Sequence, residues 1–102
     1  MAMASIERQG DTLVVQPRGR LDTAKTPLLD RELQPHLDGI DNIVMDFSQV
    51  EYLASSCLRL LLWLEQEMEG RGGEVKLIHA GKPVLRILDL TGFRDVVHVV
   101  ED

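Results

Sequence analysis

A chain of 102 residues suits one domain, spanning 1–102, and is long enough to bury a core without disulfide staples. The hydrophobic fraction is 44 % but aromatic residues make up only 4 %, so the core must be aliphatic; a formal net charge of −6 argues against nucleic acid and anionic membrane surfaces as partners. No run approaches the roughly 18 apolar residues of a membrane span, the first residues lack a signal pattern, and one cysteine fits a reducing cytosol, so a cytoplasmic protein is expected.

In chain order, "SIERQGDTLVVQPRG" reads as two short strands around a tight Gly10–Asp11 turn. Pro17 ends the second strand because it cannot donate to a ladder. Gly19 opens a loop, "GRLD". From Ala24 to about Leu37, leucines at 28, 29, 33 and 37 give helical spacing with one apolar stripe. Pro27 fits the first turn, whereas Pro35 predicts a kink or an early end. "NIVMDF" (42–47) reads as a short buried strand, and "SQVEYL" connects it onward.

Residues 56–69 form a second helix, with Leu58, Leu61, Leu62 and the stem of Glu65 on one face. Leu60, Trp63 and Leu64 widen its apolar surface, as in a helix that is deeply buried or meets a partner. Gly70 reads as its terminator. "EVKLIHA" (74–80) is a strand, Pro83 starts a third helix that Gly92 stops, and "DVVHVV" (95–100) is a last strand. The order β-β-α-β-α-β-α-β implies an α/β fold. Its mixed sheet combines an N-terminal antiparallel hairpin with parallel pairing through β-α crossovers.

Few constellations carry chemistry. "GRGG" (70–73) follows a helix, whereas a phosphate cradle must enter one. His36, His79 and His98 stand apart, so no metal set and no cofactor is expected. Cys57 lies in the first turn of the second helix, where the dipole favours a thiolate. An enzyme built on it would also need a base and an orienting group, which no motif supplies. A small packing residue is the plainer reading.

Ser55 and Ser56 stand at the same helix start, in "YLASSCLRLL" (52–61). One serine suffices as an N-cap, and Leu58 and Arg59 complete no capping box. The second hydroxyl is then free to be phosphorylated, with its charge tolerated by the helix dipole and repulsive to an acidic or apolar partner.

The stretches "GRLDT" (19–23), "IVMDFSQVEYLASSCLRLLL" (43–62), "GGEVKLIHA" (72–80) and "VLRILDLTGF" (84–93) together resemble the STAS domains, specifically the stand-alone anti-sigma-factor antagonists of bacteria. The resemblance implies the STAS fold, no cofactor, no catalysis and partner switching. The implied partners are an anti-sigma factor that is also a GHKL-type serine kinase, and a resetting PPM-type phosphatase. Family members commonly read Asp-Ser-Ser-Gly-Leu or Ser-Ser-Ala-Gly-Leu at this helix start. Laid on "ASSCL", that pattern puts the phosphorylated serine at Ser55, with Ser56 as cap or backup. The implied partner surface comprises Asp22, Asp46, Ala54, Ser56, Cys57 and Arg59. Ala54 replaces the usual Asp or Ser, and Cys57 replaces the usual Gly. Those departures also fit a non-switching module: a scaffold, a transporter-associated subunit or a small-ligand binder.

Overall fold

The computed structural model describes residues 4–101. Strands β1 (Ala4–Gln9) and β2 (Thr12–Pro17) form the expected antiparallel hairpin, Gln9 facing Thr12 across the turn. Gly10 takes the left-handed position of that turn at φ +67°. Pro17 is the last residue of β2, as its missing N–H predicts.

Strand β3 (Gly19–Leu21) precedes helix α1 (Thr26–Leu33) and a single 3-10 turn, Gln34–His36. Then follow β4 (Asn42–Asp46), β5 (Val50–Leu53), helix α2 (Ser55–Gly70), β6 (Val75–Ile78), helix α3 (Lys82–Thr91) and β7 (His98–Val99). The main sheet has five strands in the order β1-β2-β4-β6-β7. The hairpin is antiparallel, and the β2–β4, β4–β6 and β6–β7 pairs are parallel. That is the expected mixed α/β architecture.

Two segments depart from expectation. "GRLD" contributes β3 rather than a loop, and "SQVEYL" contributes β5 rather than a connector. The two strands pair in parallel as a separate two-stranded sheet. Three and four residues are too few for a two-residue alternation to declare itself. The β4 strand is buried on one face only: Ile43 and Met45 are enclosed, while Asn42, Val44 and Asp46 are half-exposed.

The helices follow their punctuation. Pro27 sits in the first turn of α1 and Pro35 in the 3-10 turn, so the expected 24–37 helix is cut to eight residues by the ring that cannot donate. Leu29, Leu33 and Leu37 are buried, but Leu28 points out at 47 % exposure, because an α1 stripe spans only one edge of the helix. Helix α2 runs through Gly70, and the left-handed residue that stops it is Gly72 at φ +84°. Gly92 stops α3 as expected, at φ +77°. Strand β6 ends at Ile78 because His79 turns left-handed at φ +59°, and a 3-10 turn (Phe93–Asp95) shortens β7.

The core is aliphatic apart from Phe47 and the sulfur-bearing Met45, Met68 and Cys57. Leu13 and Val15 of β2, Ile43 and Met45 of β4, and Val75 and Leu77 of β6 line the covered face of the main sheet. Leu58, Leu61, Leu64 and Met68 of α2 join the same buried cluster, as do Val84 and Leu88 of α3. Burying such a leucine contributes roughly 1.5–3 kcal/mol. This broad apolar face fixes the rotation of α2, and with it which first-turn side chains look outward.

Candidate functional site

The site is the start of α2 and the start of α1 beside it. Ala54 is the N-cap residue of α2, in extended conformation (φ −80°, ψ 166°). Its N–H donates to the Leu21 carbonyl at 2.9 Å, which ties the helix start to β3. Its carbonyl accepts from the Cys57 and Leu58 N–H groups at 3.0 and 3.2 Å.

Among the described residues no side chain caps the start of α2, which corrects the expectation that Ser56 serves as a cap. Ser55 and Ser56 lie inside the first turn, one and two residues past the cap, where a hydroxyl faces outward or sideways instead of toward the orphan N–H groups. Ser55 is exposed. Ser56 is half-buried and donates its Oγ hydrogen to Thr26 Oγ1 at 3.1 Å. Thr26, 5 % exposed, donates in turn to the Asp22 carbonyl at 2.9 Å. Asp22 Oδ1 accepts from the backbone N–H groups of Ala24 and Lys25 at 3.1 and 2.9 Å. Two hydroxyls and the Asp22 backbone carbonyl therefore join the two helix starts, while the Asp22 carboxylate holds the turn before α1. Sequence reasoning singled out Asp22 and Ser56 but missed Thr26; its only signal was a threonine directly before the Pro27 that opens α1.

Asp46 belongs to a different cluster, at the end of β4. Its Oδ1 accepts from the Ser48 N–H at 3.0 Å and lies 3.1 Å from His79 Nδ1. Its Oδ2 is 3.5 Å from Gln16 Nε2. Burial pushes this carboxyl up, and the hydrogen bonds from Ser48 and His79 more than offset that, leaving it below the usual aspartate value. None of these bonds reaches the Ser56–Thr26–Asp22 chain.

Cys57 is 1 % exposed, packed in the core cluster. Burial pushes its thiol up to about 12, overriding the helix dipole. A neutral, enclosed thiol is neither a nucleophile nor a partner contact, which corrects its place in the expected surface. Ala54, at 6 % exposure, offers little more. Arg59 is exposed and makes no hydrogen bond or ion pair among the described residues. It lines a groove of about 410 Å³ between α1 and α2, together with Pro27, Asp30, Gln34, Leu60 and the 41 %-exposed Trp63. Among the described residues no group of three or more His, Cys, Asp or Glu is placed to hold a metal, and no helix is long and apolar enough to cross a membrane.

The family model described as "Mlab, STAS domain" matches residues 4–101. The chain belongs to the STAS domain family. This STAS domain is 21 % identical over 94 residues to the anti-sigma-B factor antagonist of Bacillus subtilis, covering 92 % of this chain and 86 % of that protein. It is 27 % identical over 88 residues to the anti-sigma-B factor antagonist of Staphylococcus aureus, covering 85 % and 82 %. The crystal structure of an anti-sigma factor antagonist from Mycobacterium paratuberculosis superimposes with a TM-score of 0.84 at 23 % identity, over 97 % of this chain and 85 % of that one. That last likeness speaks for the fold.

Proposed function

We propose that this STAS domain is an anti-sigma-factor antagonist, which binds an anti-sigma factor that is also a GHKL-type serine kinase and so releases the sigma factor. The observation that carries this reading is Ser55: an exposed hydroxyl in the first turn of α2, on a chain whose relatives carry that function by name. Phosphorylation switches the antagonist off. The Ser55 Oγ takes the γ-phosphoryl group of kinase-held ATP, its proton leaves, and ADP is the leaving group. The domain catalyses nothing itself, and a PPM-type phosphatase resets it in the bacterial cytoplasm.

The Ser56 hydroxyl is already engaged with Thr26, so Ser55 is the better acceptor and Ser56 the backup. Asp22, Ser56 and Arg59 border the contact surface; Asp46 sets the end of the neighbouring β4 strand.

The test uses the protein as bait in lysate of its source organism, with ADP present. A GHKL-type kinase retained by wild type and lost with Ser55→Glu is the expected result. Glutamate in the first turn is favoured by the helix dipole by roughly 0.3–1 kcal/mol, so the variant stays folded. Retention on both baits would sink the switch. That outcome would favour a non-switching STAS scaffold or transporter-associated module, the reading that Ala54 supports by offering no polar side chain at the cap.

A further inference from the structure

The Arg59 guanidinium, which has no ion-pair partner among the described residues, suggests what happens after phosphorylation. Ser55 and Arg59 are four residues apart on α2, which runs unbroken from Ser55 to Gly70. Residues at that spacing lie one turn apart on the same helix face. Side chains on a helix lean toward its N-terminus, so an arginine at 59, which borders the α1–α2 groove, can reach back over the turn that carries Ser55. An acidic group placed N-terminal to a basic one at this spacing is the favourable orientation. Both residues are exposed, and neither side chain has a hydrogen bond or ion pair among the described residues.

We infer that Arg59 is an intramolecular clamp for a phosphate on Ser55, closing over it with charge-assisted hydrogen bonds and withdrawing the one cation among the groove's described lining residues. A planar guanidinium suits this because it can meet two phosphate oxygens at once. The charges lining the groove are Arg59 from α2 and Asp30 from α1. Asp30 Oδ1 already accepts from Gln34 Nε2 at 2.8 Å and does not bridge to Arg59. Phosphorylation therefore leaves the groove walled by Asp30 without its counter-charge. The partner surface changes in two places at once: a dianion appears at the helix start and a cation disappears one turn below.

The same geometry separates the two serines. Four residues beyond Ser56 stands Leu60, and the Ser56 hydroxyl faces the buried Thr26. Ser56 lines the same groove as Arg59, three residues from it, but its hydroxyl is already engaged with Thr26 at 3.1 Å. Ser55, exposed and with its hydroxyl unengaged among the described residues, is the serine the clamp serves first.

The inference rests on the switch reading, yet its test needs no kinase. Phosphoserine is incorporated at position 55 of the full chain during translation, and the phosphate is titrated by phosphorus NMR. The comparison is between the otherwise wild-type chain, Arg59→Gln and Arg59→Lys. An ordinary phosphoserine titrates near 6. The wild-type phosphate should titrate about 0.3 below that of Arg59→Gln, the size expected of a helical ion pair. The difference should shrink at 1 M salt, and Arg59→Lys should recover part of it. Coincident curves for wild type and Arg59→Gln would overturn the clamp. Arg59 is exposed, so the variants fold alike. If the bait experiment shows no release with Ser55→Glu while the titration shows the offset, the switch fails and the clamp stands; the reverse pattern fails the clamp alone.

Discussion

Cys57 shows how one residue's surroundings override its position. A cysteine in a first helical turn should be acidic, and this one is enclosed in aliphatic side chains that disfavour its thiolate. The sign of its effect on stability follows. The unfolded thiol ionises near 9.0 and the folded one near 12, so its contribution is complete below pH 9 and is lost as pH rises through 12. Cys57→Ala should therefore flatten the alkaline limb of the stability curve between those values, measured by urea unfolding at fixed temperature. A wild-type alkaline limb identical to that of the variant would refute the buried-thiol account. The variant should also cost about 1 kcal/mol at pH 7, from the lost sulfur packing. That the residue is buried was only half legible: the apolar neighbours at 58, 60 and 61 hinted at it, but the rotation of α2 about its own axis is set by the sheet beneath it.

At the scale of elements, the helix starts are joined by the Ser56–Thr26–Asp22 chain. Thr26→Val keeps the shape and removes both hydroxyl bonds. It should destabilise the domain by about 1 kcal/mol, a fall in Tm of roughly 4–8 °C by calorimetry. An unchanged Tm would mean that the bridge contributes nothing and that packing alone holds α1 against α2. What the sequence made legible here was periodic: α1, α2, α3 and the first hairpin declare themselves through leucine spacing, Pro27, Pro83, Gly92 and the Gly10 turn. What stayed hidden was non-local. Strands β3 and β5 find each other across about 30 residues, and neither is long enough to announce a partner. Thr26 was hidden for the same reason, since its hydroxyl matters only once Ser56 arrives beside it. Ser56 likewise looked like a cap until the structure placed Ala54 in the cap position, its N–H held by the Leu21 carbonyl of β3.

At the scale of the molecule, two sheets share one core. Leu21 of β3 and Val50 and Leu53 of β5 belong to the same buried cluster as Leu13, Ile43 and Leu77 of the main sheet. A Cα radius of gyration of 12.4 Å is close to the ~13 Å expected of a compact chain this long. The small sheet should therefore unfold with the large one. Far-UV circular dichroism and native-state amide exchange at β3 and β5 should report the same free energy of opening as at β4, within experimental error. Exchange of the β3 and β5 amides at much lower free energy would show the small sheet to be an independent unit, free to loosen when a partner docks.

The groove between α1 and α2 gives the molecule an optical property as well as a shape. Its wall carries the chain's single tryptophan, Trp63, while the core is almost wholly aliphatic. Trp63 is 41 % exposed in the native state, so its emission starts part-way to the red and moves further as denaturation exposes the rest. The same half-wet indole is well placed to register whatever enters the groove, because exclusion of its remaining water shifts emission to the blue. Intrinsic fluorescence in this protein thus separates two events by direction, occupancy at the α2 face shifting it to the blue and unfolding to the red.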